Sequence, residues 1–193
     1  MRFSLKPPDS GKKKTVMKIK ADLNVNGNSR ISPLLVLKPE ETIEHLALRF
    51  AALLIFFNEN PVLDVRADDP MISNVSFMPD LLVSDPVDGI LIWIECGNTA
   101  SNKLIKVARR TKNCRFVILK SNVEEGIKTR EILKKNIRGY ERIEILAFPE
   151  GEFEKWTEAV TQTESPYVFG EASIKGLNLV LNQTPFDIQL IPC

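Results

Sequence analysis

Read as hydrophobic and polar positions, the chain opens with a polar stretch. Residues 1–14 hold Pro and a Lys triplet without a periodic apolar face, and predict a loose arm. "TVMKIKADLNV" (15–25) then alternates apolar and polar positions, a strand pattern. "NGN" at 26–28 is a hairpin signal, so "RISPLLVL" (30–37) returns as the partner strand. "KPEETIEHLALRFAALLIFFNEN" is apolar around most of its circumference and predicts a largely buried helix. Pro39 suits its first turn, Glu40 and Glu41 complement its dipole, and Asn58 with Asn60–Pro61 end it. "LDVRA" predicts a short strand and "DDPMISN" a loop. "DLLVS" and "GILIWIE" predict two strands joined through the turn "DPVDG". A helix over 101–112, a buried strand over 115–120, an amphipathic helix over 123–137 and a strand over 142–148 follow. "GEFEKWTEAV" predicts a short helix, and the tail from Pro166 carries the β runs "PYVFGEASI", "LNLVLN" and "FDIQLI". This order predicts one α/β (α+β) domain over 15–193, a mixed β-sheet flanked by helices, with an N-terminal β-hairpin and a β-rich C-terminal tail. The crossover helices after residue 97 imply parallel strands, and the hairpins antiparallel ones.

Composition narrows the class. The 193 residues suffice to bury a core without disulfides or metal staples, and the 44% apolar and 26% charged fractions are those of a soluble globular protein. A net charge of +1 makes the whole chain no magnet for nucleic acid or membrane, so any such attraction must be local. Cys96, Cys114 and Cys193 are odd in number, widely spaced and free of CxxC, which argues against a disulfide framework or structural zinc. There is no apolar signal core, and the longest apolar run is too short to span a bilayer and carries Arg49. These features predict a cytoplasmic protein with no membrane partner.

The candidate chemistry lies in "FMPDLLVSDPVDGILIWIECGN" (77–98). Strand alternation puts Leu91, Trp93 and Glu95 on one face and Ile92, Ile94 and Cys96 on the other. Antiparallel pairing through "DPVDG" brings Asp80 to the same end as Glu95. Two carboxylates there, with a backbone carbonyl such as that of Cys96, would make an oxygen site for Mg²⁺ or Mn²⁺. The competing reading is that both are ordinary strand-end residues. Glu44 is the third carboxylate: helical spacing places it with Leu48, Ala52 and Ile55, leaning toward the sheet edge, against the plainer reading of an exposed first-turn acid. His45 is the only histidine, which excludes a multi-His metal site. No P-loop or GxGxxG pattern occurs. From Cys96 to Val123 there is no acid, and Lys103, Lys106 and Arg110 recur at i, i+3 and i+7 as one basic helical stripe. That stripe reads either as a phosphate or nucleic-acid grip or as a solvated helix face.

"KPEETIEHLALRFAALLIF", "PDLLVSDPVDGILIWIECGNTASNKLIKVARR" and "FPEGEFEKWTEAV" resemble the YaeQ family in order and spacing over roughly residues 15–191. That family is assigned to the PD-(D/E)XK nuclease-like superfamily, so the resemblance implies a restriction-endonuclease-like core. It also implies that Asp80 is the PD aspartate and Glu95 the (D/E) residue, with the helix-borne acid at Glu44 or, second, Glu41. The motif lysine position is Gly97, a departure shared by YaeQ-like proteins. Superfamily members can supply the lysine from the following helix, so the resemblance implies that Lys103 or Lys106 could take that place here.

Three functions are therefore expected to compete. One is a Mg²⁺- or Mn²⁺-dependent phosphodiesterase acting on nucleic acid, with Asp80, Glu95 and Lys103 or Lys106 catalytic. In it Glu44, Asp80, Glu95 and the Cys96 carbonyl hold metal, and Lys103, Lys106 and Arg110 grip the backbone. The second is a non-catalytic nucleic-acid or protein binding module on the same fold. The third is an interaction domain that docks through an edge strand or the Trp156 helix. The sequence does not choose DNA or RNA, or an oligomeric state.

Overall fold

In the computed structural model, which describes residues 17–193, helix α1 (Ile43–Ile55) runs through the middle of the molecule, with every residue from Leu46 to Ile55 buried. It starts later than its composition predicts. The Thr42 hydroxyl, on an extended backbone, accepts the His45 N–H and caps the helix there. Pro39 is left outside, in a Lys38–Glu41 turn closed by the Glu41 N–H on the Lys38 carbonyl at 3.0 Å. Residues 1–14, the expected arm, lie outside the described residues.

The N-terminal segment forms short strands: β1 (Lys18–Ile19), β2 (Asp22–Val25), β3 (Asn28–Ile31) and β4 (Leu35–Val36). The single strand predicted over 15–25 is interrupted where the Ala21 N–H donates to the Ser32 hydroxyl at 2.8 Å instead of continuing a ladder. Asn26 and Gly27 take the left-handed backbone that turns β2 into β3, as the hairpin signal predicts. After α1 come β5 (Val62–Leu63), β6 (Leu81–Asp85), β7 (Gly89–Cys96), α2 (Ser101–Arg110), β8 (Arg115–Lys120), α3 (Val123–Asn136), β9 (Ile143–Ala147) and α4 (Glu152–Thr161). The tail folds as β10 (Tyr167–Ser173), β11 (Gly176–Leu181), β12 (Thr184–Gln189) and β13 (Ile191–Pro192).

The expected single mixed sheet is divided. A six-stranded sheet has the order β13-β9-β8-β7-β6-β5, with β7, β8 and β9 parallel and the β5–β6 and β6–β7 pairs antiparallel. A five-stranded sheet, β12-β11-β10-β2-β3, joins the tail to the N-terminal hairpin through a parallel β10–β2 pair, and β1 and β4 form a separate antiparallel pair. The result is a mixed α+β fold with four α-helices among the described residues.

Two cores explain the layering. One packs α1 and α4 between the two sheets, drawing Leu23, Val168 and Ile188 from one sheet and Leu81, Ile94 and Leu119 from the other. The second lies under α2 and α3, where Trp93, Phe116 and Ile118 meet Leu104, Val107 and Leu133. Side-chain alternation along β7 thus sends Ile94 and Cys96 into the first core and Trp93 into the second. Trp156 is fully buried, stacks on Phe50 at 5.9 Å and donates its indole N–H to the Ala47 carbonyl at 3.0 Å. The ring is core between α4 and α1, so Trp156 itself is not the part of its helix that a partner could meet.

Candidate active site

Carboxylates are costly to bury without partners, so where the partners come from defines the site. Asp80 lies just before β6, where its N–H donates to the Ile94 carbonyl at 3.1 Å. Its Oδ2 accepts the Cys96 backbone N–H at 2.7 Å, and its Oδ1 meets His45 Nε2 from α1 at 3.0 Å. Glu95, at the end of β7, is fully buried. Its Oε1 accepts the Trp93 indole N–H at 2.8 Å, and its Oε2 accepts Lys103 Nζ at 2.8 Å and the Thr99 hydroxyl at 3.3 Å. One strand end therefore carries two acids gripped from opposite sides, Asp80 from α1 and Glu95 from α2.

Their protonation follows from those partners. Burial pushes Glu95 up to about 7; the Asp80 charge adds to this and Lys103 and Trp93 oppose it. Burial also works against ionised Asp80, but the His45 bond and charge and the Cys96 N–H outweigh it and hold Asp80 below its ordinary range. His45 is the mirror case: burial opposes its charging, yet the Asp80 hydrogen bond and charge raise it. Such an acid pair with diverging proton affinities is the pattern expected of working carboxylates.

The other expected residues fall as follows. Lys103 reaches Glu95 and also donates to the Met78 carbonyl at 2.9 Å. Lys106 is exposed, 5.9 Å over the Phe77 ring, and Arg110 donates to the Asn74 carbonyl. The whole basic stripe thus faces the segment Asn74–Met78. Glu44 is exposed on the first turn of α1 and takes part in none of these bonds. Cys96 contributes its backbone N–H, while its thiol is buried and pushed well above its ordinary range by burial. The three cysteines are free. Gly97 has the left-handed backbone (φ +62°), and a Cβ there would sit 3.3 Å from Leu48 Cδ1. Any side chain, a lysine included, is strained at that position.

Residue typing alone missed His45 and the pair behind it. Arg49, 1% exposed, bonds Glu41 at 3.1 Å and Asp64 at 2.8 Å, and Asp64 also pairs with Lys38 at 2.7 Å. Glu41, His45 and Arg49 recur at i, i+4 and i+8 in the sequence; the last two share a face of α1, and Glu41 lies in the turn just before it. That spacing was the available signal, and it runs beside the Glu44 stripe.

A buried carboxylate, Glu95, and a part-buried one, Asp80, suit a hard divalent ion in donor type. No group of three His, Cys, Asp or Glu side chains converges among the described residues. Of the side chains at this strand end, Asp80 and Glu95 are the ones that could offer oxygens to such an ion. No helix among the described residues is long and apolar enough to cross a membrane.

Comparison with known proteins adds the following. A family model described as YaeQ protein matches residues 12–184. The chain is similar to the crystal structure of a YaeQ protein from Pseudomonas syringae, with 20% identity and a TM-score of 0.69, over 93% of this chain and 96% of that one. It is also similar to that of a YaeQ protein from Xanthomonas axonopodis pv. citri, with 15% identity and a TM-score of 0.68, over 92% and 98% of the two chains. At these identities the likeness speaks to the fold. The comparison with curated proteins gave no match.

Proposed function

The chain belongs to the YaeQ family, and from that premise we propose that it is a divalent-metal-dependent phosphodiesterase acting on nucleic acid, built on a restriction-endonuclease-like core. The observation that carries the reading is the meeting of Asp80, Glu95 and Lys103 at one strand end, with Lys103 Nζ 2.8 Å from Glu95. The element order supports it as well: a helix, an antiparallel three-strand unit, then a crossover helix to a parallel strand. In this reading Asp80 and Glu95 hold Mg²⁺ or Mn²⁺, which when bound polarises the phosphate and activates water. His45 and the Cys96 N–H fix the Asp80 carboxylate. Lys103 neutralises the charge that builds on the phosphoryl oxygens. Lys106 and Arg110, exposed on the same helix, hold the flanking backbone, so binding weakens with salt.

A second reading has its own support. Every oxygen of Asp80 and Glu95 already accepts a bond within the chain, which suits a non-catalytic module that binds nucleic acid or an acidic partner through the stripe. The two are separated by a panel of single- and double-stranded DNA and RNA with Mg²⁺ or Mn²⁺. The phosphodiesterase reading expects metal-dependent cleavage that falls about a hundredfold or more in Asp80→Ala and Glu95→Gln. Salt-dependent binding that ignores chelator, with no turnover in wild type, selects the module.

A further inference from the structure

Strand β8 is apolar and buried from Phe116 to Leu119 and then ends on a lysine. Lys120 is 3% exposed, and its Nζ donates to the Gly97 carbonyl at 2.7 Å. Burying an ammonium carries a desolvation penalty, so an apolar side chain would be the cheaper way to finish this strand. What the lysine grips is the β7–α2 turn. The Gly97 carbonyl also accepts the Thr99 N–H at 3.1 Å, and the Gly97 N–H donates to the Leu119 carbonyl at 2.8 Å. Two residues on, the Thr99 hydroxyl reaches Glu95 Oε2, the same oxygen that Lys103 holds. The turn is thus pinned by its amide to the β8 backbone and by its carbonyl to the β8 side chain, and it delivers both donors to Glu95. Burial lowers the proton affinity of Lys120, with Glu125, the Cys96 thiol and Glu95 opposing.

We propose that Lys120 is a positioning residue: by anchoring the Gly97 carbonyl it sets the turn that aims Thr99 and Lys103 at Glu95. This deepens the phosphodiesterase reading and rests on Glu95 and Lys103 being its working pair. Lys120 itself stays below the turn and touches no substrate.

The chain supplies its own reporter. Of its two tryptophans, Trp93 donates to Glu95 and Trp156 to the Ala47 carbonyl. In the ¹⁵N-labelled full chain, Lys120→Met is expected to move the Trp93 indole N–H resonance and leave that of Trp156 in place. Manganese-dependent turnover of an oligonucleotide should fall about tenfold or more through kcat, with KM unchanged, the scale of one hydrogen bond to a charged group. A Trp93 resonance that does not move overturns the proposal. Movement of both indoles also overturns it, because it marks general loosening of the core. Lys120→Gln keeps an amide donor in the strand and serves if the methionine variant does not fold; its Trp93 resonance should move in the same sense, by less. If wild type shows no turnover but Trp93 alone moves, the phosphodiesterase reading fails and the positioning role stands.

Discussion

Replacing Glu95 by Gln isolates the electrostatic tension at the strand end. Glu95 is fully exposed to solvent in the unfolded chain, with an ordinary value of 4.5, and is raised to about 7 in the fold, by burial first and by Asp80 second. A folded value above the unfolded one means the native state holds its proton longer. The stabilising contribution is complete below 4.5 and is lost as pH rises through about 7. A factor of ten in proton affinity is about 1.4 kcal/mol, so ionised Glu95 costs the fold about 3 kcal/mol relative to its protonated form. About 2.5 kcal/mol of that falls between about pH 5 and about pH 8. Gln keeps the shape and an oxygen for the Trp93 indole but cannot ionise. Losing the Lys103 ion pair shifts its stability by an offset, and the pH-dependent difference carries the test. Urea unfolding of both proteins across that range should show Glu95→Gln gaining about 2.5 kcal/mol on wild type as pH rises. The reasoning is refuted if the variant instead loses ground toward alkaline pH. That would mean Lys103 dominates burial and Glu95 is held ionised.

Other substitutions probe the supports. Arg49→Met leaves the Glu41 carboxylate, 5% exposed, without its cation, and should cost about 3–5 kcal/mol by thermal or urea unfolding. Gly97→Ala forces a Cβ onto a left-handed backbone beside Leu48, and should lower the urea midpoint by the equivalent of about 1–2 kcal/mol. His45→Gln tests the Asp80 pair. Raised His45 stabilises below 6.5 and loses that as pH climbs through its folded value, whereas lowered Asp80 stabilises above 3.8 and loses that on acidification. The substitution should therefore cost most between those limits. With the imidazole 34% exposed and screened, the cost is about 1 kcal/mol, shrinking toward alkaline pH in the same unfolding series.

Much of this architecture was legible in the sequence because it rests on local chemistry. The Asn26–Gly27 turn, the β6–β7 hairpin, and helices α2, α3 and α4 lie where periodicity and turn residues put them. The start of α1 differs from the composition-based expectation because the Thr42 hydroxyl, not proline or dipole preference, decides it. The division into two sheets was not legible. It depends on the parallel β10–β2 pair, a contact between Tyr167–Gly170 and Asp22–Val25 that no short window contains. At the site, alternation and turn chemistry put Asp80 and Glu95 at one strand end, and of the two α2 lysines considered with them, Lys103 is the one that bonds Glu95. His45 is not legible as a site residue because, as the only histidine, it counts against His-based triads and multi-His sites, and its bond to Asp80 joins two elements distant in the chain. Lys120 closes the strand expected to be buried over 115–120, but its partner, the Gly97 carbonyl, lies on another element, so its role depends on a tertiary contact that no short window contains.

The central claim, that Asp80 and Glu95 form one cation-accepting site, is tested most directly by titrating Mn²⁺ into wild type and Asp80→Ala and following the free-ion EPR signal. Saturable binding in wild type that disappears in a folded Asp80→Ala protein is the predicted result. Equal binding by the two proteins, or none by wild type, would contradict it.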